Sequence, residues 1–423
     1  MSERPTDTET AVTGGVAGQN GFVRGVSRRR GHDPIYRDPI HPTQSNKKLP
    51  LAQGSIDMTF LLIVVALVLY GIIMAYSASS IYGAQHKGDS LYYIKRHLMF
   101  IGLAVALTVP FTAMARPWFW RLFAIGSYGA SILLLLLVLV IGASEGDAQR
   151  WIVIGPITIQ PSEIAKLAVV MMLALLMSKY EKQVMSDHKF GGNFRYGVLI
   201  PGVCLAIIVL LVAAEKHISG VMIIAMIGAV VMFMGGTKMR WLAMLAGVVV
   251  LGGAALILFS SYADTRIQLW LNIDQMDPLG EAWQTLQGLY AIGSGGLFGL
   301  GLGNSRQKFG FVSEPQNDFI FTIICEELGF FGAAIVLLLF GLLVWRGFKI
   351  ASNAPDKFSA LVVYGIVFKT ALQAALNIAV VTNSMPNTGI SLPFFSSGGT
   401  ALAIQIFEMG IVLNISRFSR VEK

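Results

Sequence analysis

The acid at position 318 and the Glu–Lys pair at positions 163 and 166 are the residues of this chain best suited to do chemistry. The first belongs to Glu314-Pro315-Gln316-Asn317-Asp318-Phe319-Ile320-Phe321, where a polar loop hands over to an apolar run. Asp318 suits a helix N-cap, whose oxygens accept from otherwise unpaired backbone N–H groups. At the mouth of a helical bundle the same carboxyl is equally suited to act as a general base, its basicity tuned by low local dielectric. Glu326 and Glu327, about two turns deeper, read as buried partners rather than catalysts.

The second constellation runs from Arg150-Trp151 through Gln160-Pro161-Ser162-Glu163 to Lys166. Pro161 fits the first turn of a helix, where its missing N–H costs nothing. Such a helix points its unpaired N–H groups and positive dipole end out of the bundle. An anion arriving there meets backbone donors, Lys166 and Arg150, and phosphate or pyrophosphate is the natural guest. The competing reading is a Glu163–Lys166 pair that merely neutralises itself. The glycines from Gly293 to Gly303 do not match a dinucleotide loop, whose spacing and preceding strand are both missing, and read as a tight loop against helix ends. Pro386 to Thr400 suits a tightly turned or re-entrant loop whose hydroxyls line a polar cavity. Lys369, Gln373 and Asn377 precede it on an apolar run, where polar groups need partners or water.

These residues need a frame, and composition supplies it. The chain has 423 residues, 54% hydrophobic and 13% charged, with a mean hydropathy of +0.64; soluble domains run nearer a quarter charged, so this one belongs in lipid. A spanning helix takes about 20 apolar residues. Such runs recur at roughly 57–79, 97–114, 119–141, 161–177, 196–213, 218–234, 240–259, 318–344, 358–381 and 399–415. The expected fold class is an all-α polytopic membrane protein of about ten transmembrane helices with a large extracytoplasmic loop.

Residues 1–55 read as a disordered basic cytoplasmic tail without a signal peptide, 56–416 as the ten-helix membrane domain, and 417–423 as a short cytoplasmic tail. Lys and Arg concentrate in the loops on the side of the amino terminus, which makes both termini cytoplasmic. Segments 142–160, 260–317 and 382–398 then lie outside, the second being the long outer loop. The net charge of +8 resides in tails and short loops and forms no nucleic-acid patch. Histidines at 32, 41, 86, 97, 188 and 217 show no metal-ligand spacing, and Cys204 and Cys325 make no disulfide framework.

Five ordered motifs together carry a resemblance. They are Tyr76-Ser-Ala-Ser79; Arg150-Trp151 with Gln160-Pro-Ser-Glu163 and Lys166; Ala291-Ile-Gly-Ser-Gly-Gly to Gly303-Asn-Ser305; Glu314 with Asp318-Phe-Ile-Phe and Glu326-Glu327-Leu-Gly329; and Pro386, Thr388-Gly389, Leu392-Pro-Phe394 and Ser397-Gly-Gly399. From about residue 57 to 416 the chain resembles the SEDS family (shape, elongation, division and sporulation), and is more similar to its division branch, FtsW, than to its elongation branch, RodA.

The resemblance implies a SEDS-type fold and a peptidoglycan glycosyltransferase. Such an enzyme polymerises lipid II, the undecaprenyl-diphosphate-linked disaccharide-peptide, on the outer face of the cytoplasmic membrane during division. It implies a class B penicillin-binding protein (a transpeptidase) and other divisome membrane proteins as partners. Asp318 matches the family's essential acid. Arg150, Trp151, Gln160, Glu163, Lys166, Glu314 and Ser397 are expected around the substrate. A divalent cation, Mg or Mn, suits a pyrophosphate leaving group, yet no metal-ligand set is readable. Where many members carry Gln-Pro-Asp-Leu-Gly, this chain has Glu215-Lys216-His217-Ile218-Ser219-Gly220, so an acid or metal role at His217 does not carry over. A lipid II transporter and a non-catalytic divisome scaffold are the alternative functions. Asp318→Asn separates them, since only a polymerase needs an acid in that loop.

Overall fold

The computed structural model describes residues 54–145, 148–155, 157–186, 192–244, 247, 261–280 and 282–418. Among them, eight helices are long and apolar enough to cross a membrane. They are α1 (Met58–Lys87), α2 (Tyr92–Met114), α3 (Pro117–Ile141), α4 (Pro161–Lys179), α5 (Arg195–Ala214), and, after the shorter helices below, α9 (Ile320–Ser352), α10 (Lys357–Val381) and α11 (Gly399–Ser416). A ninth apolar helix, α6 (Ile218–Met234), is shorter at 17 residues. Two more, α7 (Ser261–Leu271) and α8 (Trp283–Gly295), sit in the long loop before α9. The expected span 240–259 lies for the most part outside the described residues, as does the basic tail up to residue 53 and the chain after residue 418.

Helix ends differ from the hydropathy reading for local reasons. α1 continues past residue 79 because nothing breaks it before Gly88, a left-handed C-cap at φ 68°. At its start the Phe60 N–H donates to Asp57 Oδ1 at 2.9 Å, and Asp57 pairs with Arg346 of α9 at 2.8 Å. The segment expected as an outer loop at 142–160 is a three-stranded antiparallel sheet instead. Strands β1 (Ala143–Glu145), β2 (Ala148–Ile154) and β3 (Ile157–Ile159) lie in the order β1-β2-β3. Its Ile-Val-Ile and Ile-Thr-Ile runs have the branched residues that favour strands, in stretches too short to span.

α4, α10 and α11 are the enclosed helices: 72%, 67% and 72% of their apolar windows are buried, against 22–39% for the other five. Lipid-facing helices can be apolar all round, whereas enclosed ones can hold polar groups that find partners. Each enclosed helix carries buried charge, with Glu163 and Lys166 on α4, Lys369 on α10 and Glu408 on α11; α9 is the exception among the other five, with two buried acids near its start. Glu326 and Glu327 on α9 sit beside the glycine-rich loop.

That loop is fastened by backbone pairing. The N–H groups of Leu300 and Gly301 donate to the carbonyls of Glu326 and Glu327, each at 2.9 Å, and Phe330 N–H donates to Gly296 O at 2.9 Å. The approach requires glycine on both sides. Gly299 and Gly329 have φ of 78° and 64°, and a Cβ on Gly329 would lie 2.4 Å from the Gly299 nitrogen. α9 therefore breaks its regular dihedrals at Gly329 while the loop that leads to Asp318 stays locked to it.

Candidate active site

Asp318 lies two residues before α9, at the end of the bundle that carries the sheet. The helix takes Phe319 as N-cap without a side-chain capping bond, so the carboxyl of Asp318 does not serve as the cap. Its backbone is held instead: Asn377 Nδ2 of α10 donates to the Asp318 carbonyl at 2.6 Å and to the Ile390 carbonyl at 2.7 Å. Asn317 ties the neighbouring loop. Its Nδ2 donates to Glu314 Oε2 at 2.5 Å, and its Oδ1 accepts from Ser397 Oγ at 2.7 Å. Ser396 Oγ donates to the Asn317 carbonyl at 2.7 Å. Glu314 and Ser397 thus meet beside Asp318 through Asn317.

Burial pushes the Asp318 carboxyl up to about 6, and the nearby Glu314 charge works in the same direction. Its own N–H, the Arg266 charge and the Phe319 N–H pull the other way without cancelling the burial. Arg266 of α7 donates to the Asn387 carbonyl, and Ser219 Oγ of α6 donates to the Thr388 carbonyl at 2.5 Å. The 386–398 loop is therefore pinned from three elements. Gly389 passes the acid so closely that a Cβ there would lie 3.8 Å from Asp318 Oδ2.

On α4, Lys166 Nζ donates to Glu163 Oε1 at 2.6 Å, with both side chains buried. The self-neutralising pair weighed from the sequence is what forms. Lys369 Nζ donates to Glu408 Oε2 at 2.6 Å and to Gln405 Oε1 at 3.2 Å, and the two ion pairs lie within electrostatic range of one another. Glu163, Gln373 and Gln405 line a small cleft of about 20 Å³ whose other wall is the loop from Ser391 to Gly398. One side of this loop faces the charged cleft, and Ser396 and Ser397 bind the Asp318 segment.

The remaining expected residues cluster less tightly. Gln160 is the N-cap of α4 and makes no side-chain capping bond. Trp151 is half-buried on β2, opposite Ala143. Arg150 does not reach into the Glu163–Lys166 pair: its Nη2 donates to the Lys216 carbonyl at 3.0 Å, in the turn between α5 and α6. His217 in that turn lies 3.3 Å from Ser162 Oγ through Nδ1. Burial, then the charges of Lys166 and Arg150, hold His217 down to about 3, so it is a neutral imidazole at pH 7. Among the described residues no group of three or more His, Cys, Asp and Glu side chains can hold a metal ion.

A second buried network was only half legible. Glu327 accepts from Lys308 Nζ at 2.9 Å and from Ser77 Oγ of α1 at 2.7 Å. Glu326 accepts from Ser305 Oγ at 2.5 Å and from the Arg306 N–H at 2.9 Å. The two acids are buried partners as expected. Their cation, Lys308, is 3% exposed although it comes from a polar loop that gives no sign of burial.

The family model for cell cycle proteins of the FtsW, RodA and SpoVE type matches residues 57–421. Stage V sporulation protein E of Bacillus subtilis is 38% identical over 86% of this chain and 98% of its own length. A probable peptidoglycan glycosyltransferase FtsW of Trichlorobacter lovleyi is 35% identical over 87% and 94%. Among solved structures, a chain of a peptidoglycan synthase complex that coordinates polymerization and crosslinking is 28% identical, with a TM-score of 0.69 over 86% of this chain and 98% of that one. The rod shape determining protein RodA of Thermus thermophilus is 26% identical, with a TM-score of 0.63 over 87% and 98%. The chain belongs to the FtsW/RodA/SpoVE family, the SEDS family whose five motifs its sequence carries in order.

Proposed function

We propose that the protein is a peptidoglycan glycosyltransferase that joins lipid II units into glycan strands, with Asp318 as the general base. The observation that carries the reading is the Asp318 carboxyl, raised to about 6, beside a loop whose other side faces the cleft lined by Glu163, the partner of Lys166. A base near 6 is mostly ionised at pH 7 and still takes a proton readily. In the reaction, the acceptor hydroxyl gives its proton to Asp318 as its oxygen bonds to the anomeric carbon of the donor. The bond from that carbon to the diphosphate breaks, and the lipid diphosphate leaves with the electron pair. Lys166 and Arg150 supply positive charge where the leaving group gains negative charge. Glu314 and Ser397, joined through Asn317, hold the acid's loop. The names of the FtsW relatives support this activity.

The same reading places the protein in the cytoplasmic membrane, with the Asp318 end outward and both termini cytoplasmic. It also gives it a class B penicillin-binding protein as crosslinking partner, in line with the synthase complex it resembles. Purified protein supplied with lipid II, with and without the transpeptidase, should yield glycan strands on a gel. Asp318→Asn should yield none. A variant that polymerises normally overturns the mechanism. A transporter of lipid II is the second reading, favoured by the two ion pairs buried inside the bundle; it requires lipid II to cross vesicle membranes at the same rate with Asp318→Asn.

A further inference from the structure

Asn377, near the outer end of α10, is 1% exposed. Its Nδ2 donates to the Asp318 carbonyl at 2.6 Å and to the Ile390 carbonyl at 2.7 Å, which uses both hydrogens that an amide nitrogen has. Its Oδ1 is buried without a hydrogen-bond partner. Turning the amide over would set that oxygen against two carbonyl oxygens, so the two bonds fix its orientation. Buried polar groups are nearly always paired, and each exception calls for a reason. Here the orphaned oxygen accompanies a fixed spacing between two segments that meet at the acid.

One segment is the acid's own and the other is the loop that covers it. Gly389, just before Ile390, adopts φ 64°, and a Cβ there would lie 3.8 Å from Asp318 Oδ2. The bond to Ile390 therefore sets how closely this backbone lies against the carboxyl. Ser219 and Arg266 hold the loop earlier, at Thr388 and Asn387, and Ser396 and Ser397 hold it later, at Asn317. Asn377 ties loop and acid to the same nitrogen. The carboxyl is steadied by its own N–H and that of Phe319, so its aim follows the main chain that Asn377 holds.

The charges that reach the carboxyl are Glu314 on its own segment and Arg266 of α7. The segment 382–398 and α8 have no charged residue, and His217 before α6 is neutral. Lys369 of α10 lies about two turns deeper and is paired with Glu408. Glu326 and Glu327 of α9, at a similar depth, are bound in the Lys308 network. Replacing Asn377 alters none of these charges, so a change in the acid's basicity then reports water reaching it.

We propose that Asn377 is the positioning residue for Asp318, its single amide holding the Gly389–Ile390 backbone against the acid and so keeping water from the carboxyl. This rests on the reading that Asp318 is the base of a glycosyl transfer, and Asn377 acts only through it.

Asn377→Leu keeps the bulk and removes both donors. Full-length wild type and variant are compared in detergent, each also carrying Asp318→Asn. Wild type should polymerise lipid II at pH 5 at about one-tenth of its pH 7 rate, because a carboxyl near 6 is about 10% ionised there. With water admitted, the carboxyl falls toward the ordinary value of about 4. The variant should then be slower at pH 7, by about tenfold or more, yet keep most of that rate at pH 5. Thermal unfolding needs no turnover. A carboxyl raised in the folded state stabilises at low pH and loses that contribution as pH rises. Wild type should therefore lose stability relative to its Asp318→Asn partner between pH 4 and 6, and the Asn377→Leu pair should show no such slope. Asn377→Ser keeps one hydrogen, should fold even where leucine does not, and should move both readouts in the same direction. A rate ratio still near one-tenth in a folded variant, or a slope that survives, overturns the proposal and leaves Asn377 a structural tie. A slope that disappears on replacement while no protein forms polymer counts against the polymerase reading and not against the positioning.

Discussion

Replacing Asp318 with asparagine should move activity and stability in opposite directions. General-base assistance is worth about 10²- to 10⁴-fold, so polymerisation of lipid II should fall by at least about a hundredfold. In the wild type the carboxyl, raised to about 6, is about 90% ionised at pH 7 and about 10% at pH 5. The polymerisation rate should therefore drop roughly tenfold over that interval. Stability runs the other way. Between pH 4 and 6 the folded protein keeps a proton on Asp318 that the unfolded chain has already released, so stability from this group declines as pH rises through that window. Above pH 6 the full difference of about 2 pK units has been lost, at most roughly 3 kcal/mol. Asparagine has nearly the same shape and no charge to bury, so the variant should melt no lower than wild type at pH 7, and somewhat higher if burial dominates. Gel-resolved glycan strands report activity, and thermal unfolding in detergent from pH 4 to 8 reports stability. A rate that stays flat from pH 7 to pH 5 would refute the assignment of the base.

Lys166→Met strands a buried Glu163 and should cost about 3–5 kcal/mol in thermal unfolding. The double variant Glu163→Gln/Lys166→Met should recover most of that stability and none of the polymerisation, and recovery of both would reduce the pair to a structural one. Lys308→Met strands Glu327 in the same way, with a similar loss, but here adding Glu327→Gln should bring back stability and activity together, because this network only holds the loop. Gly329→Ala forces a Cβ onto a left-handed residue and against the Gly299 backbone. Its yield of folded protein should collapse, at a cost of at least about 2 kcal/mol.

Hydropathy found the long spans because lipid allows no exposed backbone polar group, so each crossing is written as an unbroken apolar run. It missed the sheet at 143–159, whose short branched runs carry no helical or spanning signal, and it ended α1 early because a polar residue such as Ser77 resembles a loop when its buried partner, Glu327, is unknown. Asp318, Glu314 and Ser397 were legible as motif positions. Asn377 was legible only as a polar group in need of partners; that it holds Asp318, and that Asn317 holds Ser397, was not, since the bonds join residues 59 and 80 positions apart. Arg150 illustrates the converse. Sequence order placed it with Lys166, but the β2 strand carries it to the α5–α6 turn.

The separation of acid from cation follows from what each must do. A base that contacts a lysine at 4–6 Å loses about 1–3 pK units, which would return Asp318 to the ordinary carboxylate range and make it a weaker proton acceptor. The charges that act on Asp318 are those of Glu314 and Arg266, and Lys166 is not among them. Lys166 is meanwhile held by Glu163, so that in the absence of substrate the cleft carries no uncompensated charge into the bundle. The loop through Ser396 and Ser397 forms one wall of the cleft and fastens the acid's segment on its other side. A substrate spanning that loop would meet a poised base at its sugar, while its diphosphate would compete with Glu163 for Lys166. The two groups would work on one reaction without neutralising each other beforehand.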